Sequence, residues 1–415
     1  MDGIPKSTLS YTHIIREDPV RRGLLYAGTE NGLYVSLDDG DHWQPLQMNL
    51  PHAPVYWLTV QPHFNDLVVA TYGRGFWILD DVTPLQQATP QVLASDAHLF
   101  EPRPAYRFRG IEGPYTPDAD PTVGQNPTYG ASIHFWMNSA PAKPDSSVEV
   151  RIADSDGKVV RTIKTPPKAG INRVWWDLTE DASKAVKMRT SPQYAPGVRV
   201  GDDGTRPSPD IAPVSLLVPP GTYTVKVTLG GKEYAQPLQV LKDPNSDGTV
   251  QTIAQQQPVL HGLRDDLDNV ADMVNGLELV HAQLQALVRT LAADSTAGAA
   301  GGEDGTNKDL RAAADSLEKK LVDVESELAQ LRQTGRGQDI IRWPMMLGAQ
   351  INYLTNDVGS SDFAPTSQQQ EVARILHDRA RAIRARYDAM IRADIASFND
   401  LLRRRGIGGL VSVVT

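Results

Sequence analysis

Apolar and polar residues alternate through the first half of this chain, and the period then lengthens. Leu24-Leu25-Tyr26-Ala27-Gly28-Thr29 and Gly32-Leu33-Tyr34-Val35 carry the two-residue period of strands. Leu67-Val68-Val69-Ala70-Thr71 and Gly75-Phe76-Trp77-Ile78 repeat them, with an offset (Leu25 to Leu67, Gly32 to Gly75) of about 42 to 43 residues. Each copy predicts two strands joined by a short polar turn. After the first copy, Ser36-Leu37-Asp38-Asp39-Gly40-Asp41-His42-Trp43 supplies Asp and Gly for a tight turn and an aromatic residue that returns to the core. Trp43 is therefore expected to be buried, and Asp38 or Asp39 to accept backbone N–H bonds within the turn. After the second copy, Leu79-Asp80-Asp81-Val82-Thr83-Pro84 lacks both the Gly and the Trp.

Residues 91–130 read as a connector, because Pro102, Pro104, Pro114, Pro117, Pro121 and Pro127 leave little room for regular structure. From 131 to 245 the pattern is all-β. Ser147–Ile152 and Lys158–Ile163 flank the turn Asp154-Ser155-Asp156-Gly157, Asn172–Leu178 supplies a core strand, and Gly221–Val227 followed by Gly230-Gly231 predicts another hairpin. Together these segments resemble the immunoglobulin-like sandwich of fibronectin-type modules. Residues 180–213, with Pro192, Pro196, Pro207, Pro209 and Pro213, read as a long polar insertion in that sandwich.

From residue 250 the period becomes 3.5. Leu260, Leu263, Leu267, Val270, Val274, Leu277, Leu284, Val288 and Leu291 make one seam, with His281 in a seam position expected to hydrogen-bond inside. Leu310, Ala314, Leu317, Leu321, Val324, Leu328 and Leu331 make the next, after a Gly-rich turn at 297–307. A shorter helix from Pro344 to about Thr355 and a last one from about Thr366 complete an expected antiparallel four-helix bundle over 250–415.

Composition narrows the function classes. The 415 residues carry a net charge of −9, against a nucleic-acid or anionic-membrane partner. There is no cysteine, hence no disulfide, thiolate metal site or cysteine nucleophile. Met1–Lys6 has no apolar signal core, and no apolar run is long enough for a membrane span. Gly-x-Ser-x-Gly, His-Glu-x-x-His, phosphate-loop and dinucleotide motifs are missing, so no cofactor is expected.

The spacing Ser36-x-Asp38-x-Gly40-x-x-Trp43 resembles the Asp-box of bacterial neuraminidase-type (BNR) and sortilin-like β-propellers, with His42 where the usual pattern prefers Thr. Ile15–Pro19, Gly28–Gly32, Asn49-Leu50-Pro51 and Thr71–Asp81 resemble the last blades of a large bacterial family labelled BNR-repeat or sortilin-like glycosyl hydrolases, and the likeness extends through the later segments. The resemblance implies that residues 1–90 are terminal blades of an incomplete propeller, that the chain is the C-terminal portion of a longer protein, and that the parent is periplasmic or secreted. Ending the array there is expected to leave a sheet face bearing some of Leu25, Leu33, Val35, Val68 and Ile78 without its neighbouring blade. That face would be covered by self-association or by the 91–130 connector.

Candidate chemistry is sparse. Asp38, Asp39, Asp41, Asp80 and Asp81 are the carboxylates available for glycoside hydrolysis, which needs two across a cleft, and Asp80 and Asp81 are the catalytic candidates. Arg74, between Gly73 and Gly75 and near Tyr72 and Trp77, is the candidate for clamping a carboxylate or sugar acid. Sialidases use three arginines, and no partners for Arg74 in such a set are identifiable. Asp243-Pro244-Asn245-Ser246-Asp247-Gly248 opens like a calcium loop, but its twelfth position is Ala254, so Asp243, Asn245 and Asp247 form a polar turn in the simpler reading and no metal is expected. His52 and His63 lack partners at ligand spacing, and Arg374, Arg379, Arg381, Arg384 and Arg386 are interleaved with acids as on a solvated helix face. Two functions follow: a scaffold binding glycan or protein ligands, or part of a glycoside hydrolase whose main catalytic blades lie outside this chain.

Overall fold

The computed structural model describes residues 2–7, 11–109, 124–141, 147–297 and 305–412. The middle of the 91–130 connector and most of the 297–307 turn lie outside the described residues. The chain gathers into two units, Met1–Glu180 with Val218–Asn245, and Asp181–Leu217 with Ser246–Thr415.

The first unit opens with a four-stranded antiparallel sheet in sequential order, β1 (Thr12–Glu17), β2 (Leu25–Thr29), β3 (Leu33–Ser36) and β4 (Gln44–Pro45). A three-stranded antiparallel sheet follows, β5 (Val55–Gln61), β6 (Asp66–Thr71) and β7 (Phe76–Leu79). The two copies of the sequence repeat are the hairpins β2–β3 and β6–β7. Their inward residues Tyr26, Leu33, Val35, Leu67 and Val69 share one core with Val55 and Leu58. At Gly28 on β2 a Cβ would stand 2.6 Å from Cγ1 of Val55 on β5, so only glycine fits. Leu33 and Val35 are thus covered and Leu25 and Val68 half-buried, while the outer face of β5–β7 exposes Trp57, Phe76 and Ile78, the last at 60%.

Short helices α1 (Thr83–Gln87) and α2 (Pro90–Leu93) lead to β8 (Ala97–Leu99), β9 (Ala105–Arg107), β10 (Ala131–Met137), β11 (Val148–Ala153), β12 (Val159–Thr165) and β13 (Gly170–Trp176). One sheet has the order β13-β10-β8. The other places β12 beside β11, then the hairpin Gly221–Leu229 and Lys232–Lys242, then β9 parallel to its last strand. The Asp154–Gly157 turn forms as expected, with Asp154 N donating to Lys158 O and Gly157 at φ +81°. Trp176 is fully buried, edge-on to Tyr223 at 5.3 Å.

The second unit is helical: α3 (Val250–Ala297), α4 (Gly305–Leu328), α5 (Asp339–Arg342), α6 (Leu347–Gly359) and α7 (Ser367–Met390), which continues through a π-helical turn (Ile391–Ile395) into α8 (Ala396–Arg404). The predicted seams enter the helical core, from Leu260 to Leu291 on α3 with Val288 only partly buried, and from Leu310 to Leu328 on α4, while Leu331, also buried, lies past the end of α4. Thr366 caps α7 in a capping box with Gln369. The shorter helix starts at Leu347, three residues past Pro344, whose carbonyl instead accepts from Gln330 Nε2 at 3.2 Å. No helix among the described residues is long and apolar enough to cross a membrane.

Residues 181–217 belong with these helices, not with the β unit that the sequence reading assigned them to. The reason is apolar: Val186, Met188, Ile211, Val214 and Leu216 enter the helical core. Backbone groups of the same segment are held by side chains of α3, Lys184 N by Asp268 Oδ1 and Lys187 N by Asn275 Oδ1.

Candidate functional site

The Ser36–Trp43 turn is built as its residue types require. Ser36 Oγ donates to Asp38 Oδ1 at 2.8 Å and accepts from Gly40 N at 2.9 Å. Asp38 accepts from His42 N at 2.9 Å and pairs with His42 Nδ1 at 2.6 Å. These two contacts with His42, the backbone one foremost, hold the Asp38 carboxyl down at about 2. Trp43 is 5% exposed and its Nε1 donates to Gly40 O. Gly40 at φ +93° occupies the left-handed region that the turn demands. The polar groups of Ser36, Asp38 and Trp43 are thus occupied in holding the turn.

Arg74 sits exposed at the tip of the β6–β7 turn, with Gly73 and Gly75 both at positive φ. Trp77 Nε1 donates to Arg74 O at 3.0 Å, so the indole braces the turn through the backbone. Tyr72 is exposed and lies 5.8 Å from Tyr56, on which His13 stacks at 4.1 Å. Asp243 Oδ1 accepts from Asn245 N, an Asx turn, and Asp247 is exposed.

Asp80 and Asp81 occupy a different environment, a polar cluster inside the first unit. Asp81 follows β7 with φ +60°, and its N donates to Asp66 Oδ1 at 2.9 Å. Its carboxylate is fully buried and takes hydroxyl protons from Thr83 and from Ser132 on β10. Arg103 Nε stands 3.5 Å from the same carboxylate, and His134 Nδ1 3.8 Å from it. On the far side of the ring, Arg173 Nε donates to His134 Nε2 at 2.7 Å. That bond requires an unprotonated Nε2, and burial lowers the His134 pKa to about 4, with the charges of Arg173 and Arg103 acting in the same sense and Asp81 against them. Arg173 also donates to Asp80 O at 2.6 Å. The Asp80 carboxyl is raised above its ordinary range, by burial first and then by the negative charge of Asp66.

Ser132, Asp66 and Arg103 connect this cluster to a cavity of about 630 Å³. Phe64, Tyr106, Phe108, Tyr129 and Trp175 wall it, and Asn126 and Thr128 add polar groups. Tyr106 and Phe108 lie parallel at 5.8 Å, and Tyr129 is anchored by its hydroxyl to Phe108 O at 2.8 Å. Arg103 is held by Asp66 Oδ1 at 3.5 Å and spans the Phe64 ring at 5.2 Å. The alternation of β13 explains how one dipeptide serves two purposes: Trp176 goes into the core while Trp175 faces the cavity.

No family model matches this chain, and none of the curated proteins or solved structures does.

Sequence reading singled out Asp80 and Asp81 but missed Ser132, His134, Arg103 and Arg173, which surround them. One signal was present: Ser132 and His134 occupy alternate positions on a strand whose neighbours Ile133 and Phe135 are apolar, marking a polar row in a buried sheet. Arg103, between two prolines, gave no sign of its partners.

Proposed function

We propose that this chain is a glycan-binding scaffold whose ligand enters the aromatic-walled cavity of the first unit. The composition of that cavity carries the reading. Flat rings of Phe64, Tyr106 and Trp175 present surface to the apolar faces of sugar rings, while Asp66, Arg103 and Asn126 offer acceptors and donors to hydroxyls. Asp81 supports the binding wall from behind, since its lone pairs are taken by Ser132, Thr83 and Arg103.

We read the chain further as the C-terminal part of a BNR-repeat, sortilin-like propeller protein with an extracytoplasmic parent family. The repeated hairpins, the Ser36–Trp43 turn and the sequential four-strand order β1–β4 support this. An immunoglobulin-like sandwich is supported by the two antiparallel-rich sheets around Trp176, and a four-helix bundle by the seams of α3 and α4 packed with α6 and α7. The exposed Tyr72-Gly73-Arg74 turn is the corresponding candidate for a protein or acidic ligand.

The test is a glycan array followed by calorimetric titration of each hit. Trp175→Ala and Tyr106→Ala are expected to weaken binding at least about tenfold if each ring contributes roughly 1.5 kcal/mol. A folded chain with no saturable glycan binding sinks the proposal. The Asp80 carboxyl, raised by burial first and then by the negative charge of Asp66, favours the second reading, a glycoside hydrolase, because a carboxyl held protonated above its ordinary range is what a general acid needs. Turnover of chromogenic glycosides that is lost in an Asp80→Asn variant that stays folded would establish it.

A further inference from the structure

The helical unit holds three ionisable side chains packed together away from solvent. Glu278 and His281 stand three residues apart on α3, and Glu325 faces them from α4. All three are buried, Glu278 and Glu325 completely, and one ligand atom from each lies within 4.8 Å of the others. Among the described residues, Glu325 has no hydrogen-bond partner on either carboxylate oxygen, and His281 Nδ1 has none either. The closest approach between them, Nδ1 to Oε2, is 3.8 Å, too long for a hydrogen bond. Two unsatisfied carboxylate oxygens in a buried position cost several kcal/mol unless something occupies the space between them.

We propose that Glu278, His281 and Glu325 bind a first-row divalent cation, of the Mn²⁺, Fe²⁺, Co²⁺ or Zn²⁺ class, that ties α3 to α4. The donor set is one imidazole and two carboxylates, with no thiolate in the chain, which suits these ions over copper(I) or an iron–sulfur cluster. Ligands each about 2.1 Å from a zinc ion stand about 3.4 Å apart in a tetrahedron, so the observed spread closes by small side-chain rotations.

The surroundings have the form of an outer shell. His281 Nε2 pairs with Glu318 Oε1 at 3.0 Å, leaving the Nδ1 lone pair directed at Glu325, the carboxylate–histidine arrangement that orients metal ligands. Gln285 Nε2 lies 3.1 Å from the same ring nitrogen. Glu278 is oriented by residues 189–190: its Oε2 accepts from Arg189 N and from Thr190 N, and its Oε1 from Thr190 Oγ1 at 2.8 Å. Oε2 is filled by its two N–H donors, while Oε1, with a single donor, keeps a lone pair for a cation. Arg206 is buried nearby, its charge acting on both Glu278 and Glu325. A dication plus Arg206 balances the charges of Glu278, Glu318 and Glu325. The sequence carries the matching signal, a Glu-x-x-His step on a helix, which is how helical bundles present such ligands.

The competing occupant is a proton, since adjacent buried carboxyls can also neutralise by protonation. The experiment takes the full chain, stripped with chelator, and dialyses it against Zn²⁺, Mn²⁺ or Co²⁺ separately, with metal content read by mass spectrometry. One bound equivalent of at least one cation and a melting midpoint raised by several degrees are expected. Glu325→Gln and His281→Gln should each lower affinity at least about tenfold, and Glu318→Gln by about tenfold through the lost orientation of the ring. Folded wild-type chain that takes up none of the three cations overturns the proposal, as does stoichiometric binding that both ligand variants leave unchanged. Should either variant fail to fold, the Co²⁺-loaded wild type decides by NMR: a paramagnetically shifted histidine ring signal supports the site, and its lack overturns it.

Discussion

Ser132 on β10 donates its hydroxyl proton to Oδ2 of Asp81, 51 residues earlier in the chain. This bond joins the end of the second hairpin to the wall of the aromatic cavity, and it is buried. Ser132→Ala removes one donor from a carboxylate that cannot reach water, and the expected loss is roughly 1–3 kcal/mol of stability. Asp81→Asn should cost more, about 3–5 kcal/mol, because Arg103 loses a charge partner in a buried setting. Chemical denaturation of both variants checks the order. A Ser132→Ala variant as stable as the parent would show that the bond is not formed.

His134 makes the first unit sensitive to acid. Its ring is flanked by Asp81 and Arg103 on one side and Arg173 on the other, with Asp80 and Asp66 beyond. Burial holds its pKa near 4 in the folded chain, against about 6.5 when unfolded. Above pH 6.5 the ring is neutral in both states and its contribution is complete. As pH falls from 6.5 to 4 the unfolded chain binds a proton that the folded one refuses, so stability drops by an amount on the order of 3 kcal/mol. Melting temperatures across that window should fall in the parent and fall less in His134→Gln. Equal slopes would remove His134 as the cause.

The sequence disclosed most where one rule acted locally. The Ser36–Trp43 turn needed only Asp and Gly chemistry within eight residues, and Trp43 is buried as the pattern requires. The seams of α3 and α4 needed only a repeat of apolar side chains. What stayed hidden was long-range. Asp81 depends on Ser132, His134 and Arg103, none of which is near it in sequence. The strap 181–217 has too many prolines to show a period, yet five of its apolar residues find places among the helices. Glu278 and His281 carry a legible spacing, but nothing local reveals that Glu325 meets them.

The outer face of β5–β7 predicts association. Trp57, Phe76 and Ile78 lie on one side of the sheet, at 55%, 81% and 60% exposure, because Trp57 pairs with Ala70, Ala70 with Phe76 and Val68 with Ile78. The guanidinium of Arg16 lies 4.4 Å over Trp57 and shields only that ring. A second copy presenting the same strip would bury these rings, and light scattering should show a concentration-dependent dimer that Phe76→Ser with Ile78→Ser disperses. A monomer at all concentrations would leave the strip without this role.

The sequence predicts a four-helix bundle over residues 250–415, and the strap 181–217 packed into its core bears on whether those helices are stable alone. Val186, Met188, Ile211, Val214 and Leu216 are each buried in the helical core, and Gly348 on α6 lies so close to Ile211 that a Cβ there would sit 2.4 Å from its Cδ1. Deleting the strap uncovers the helical surface beneath these side chains, at a cost of about 1.5–3 kcal/mol for each fully buried one. It also leaves Glu278 without Thr190, and Asn275 and Asn352 without the carbonyls of Ala185 and Ala212. Five such losses approach or exceed the 5–15 kcal/mol by which a domain is stable. Residues 250–415 expressed alone should therefore be helical by circular dichroism but melt broadly and bind a hydrophobic dye, whereas the intact chain melts sharply. Sharp, cooperative melting of the isolated helices would mean that their own seams suffice and that the strap only lies against a finished core.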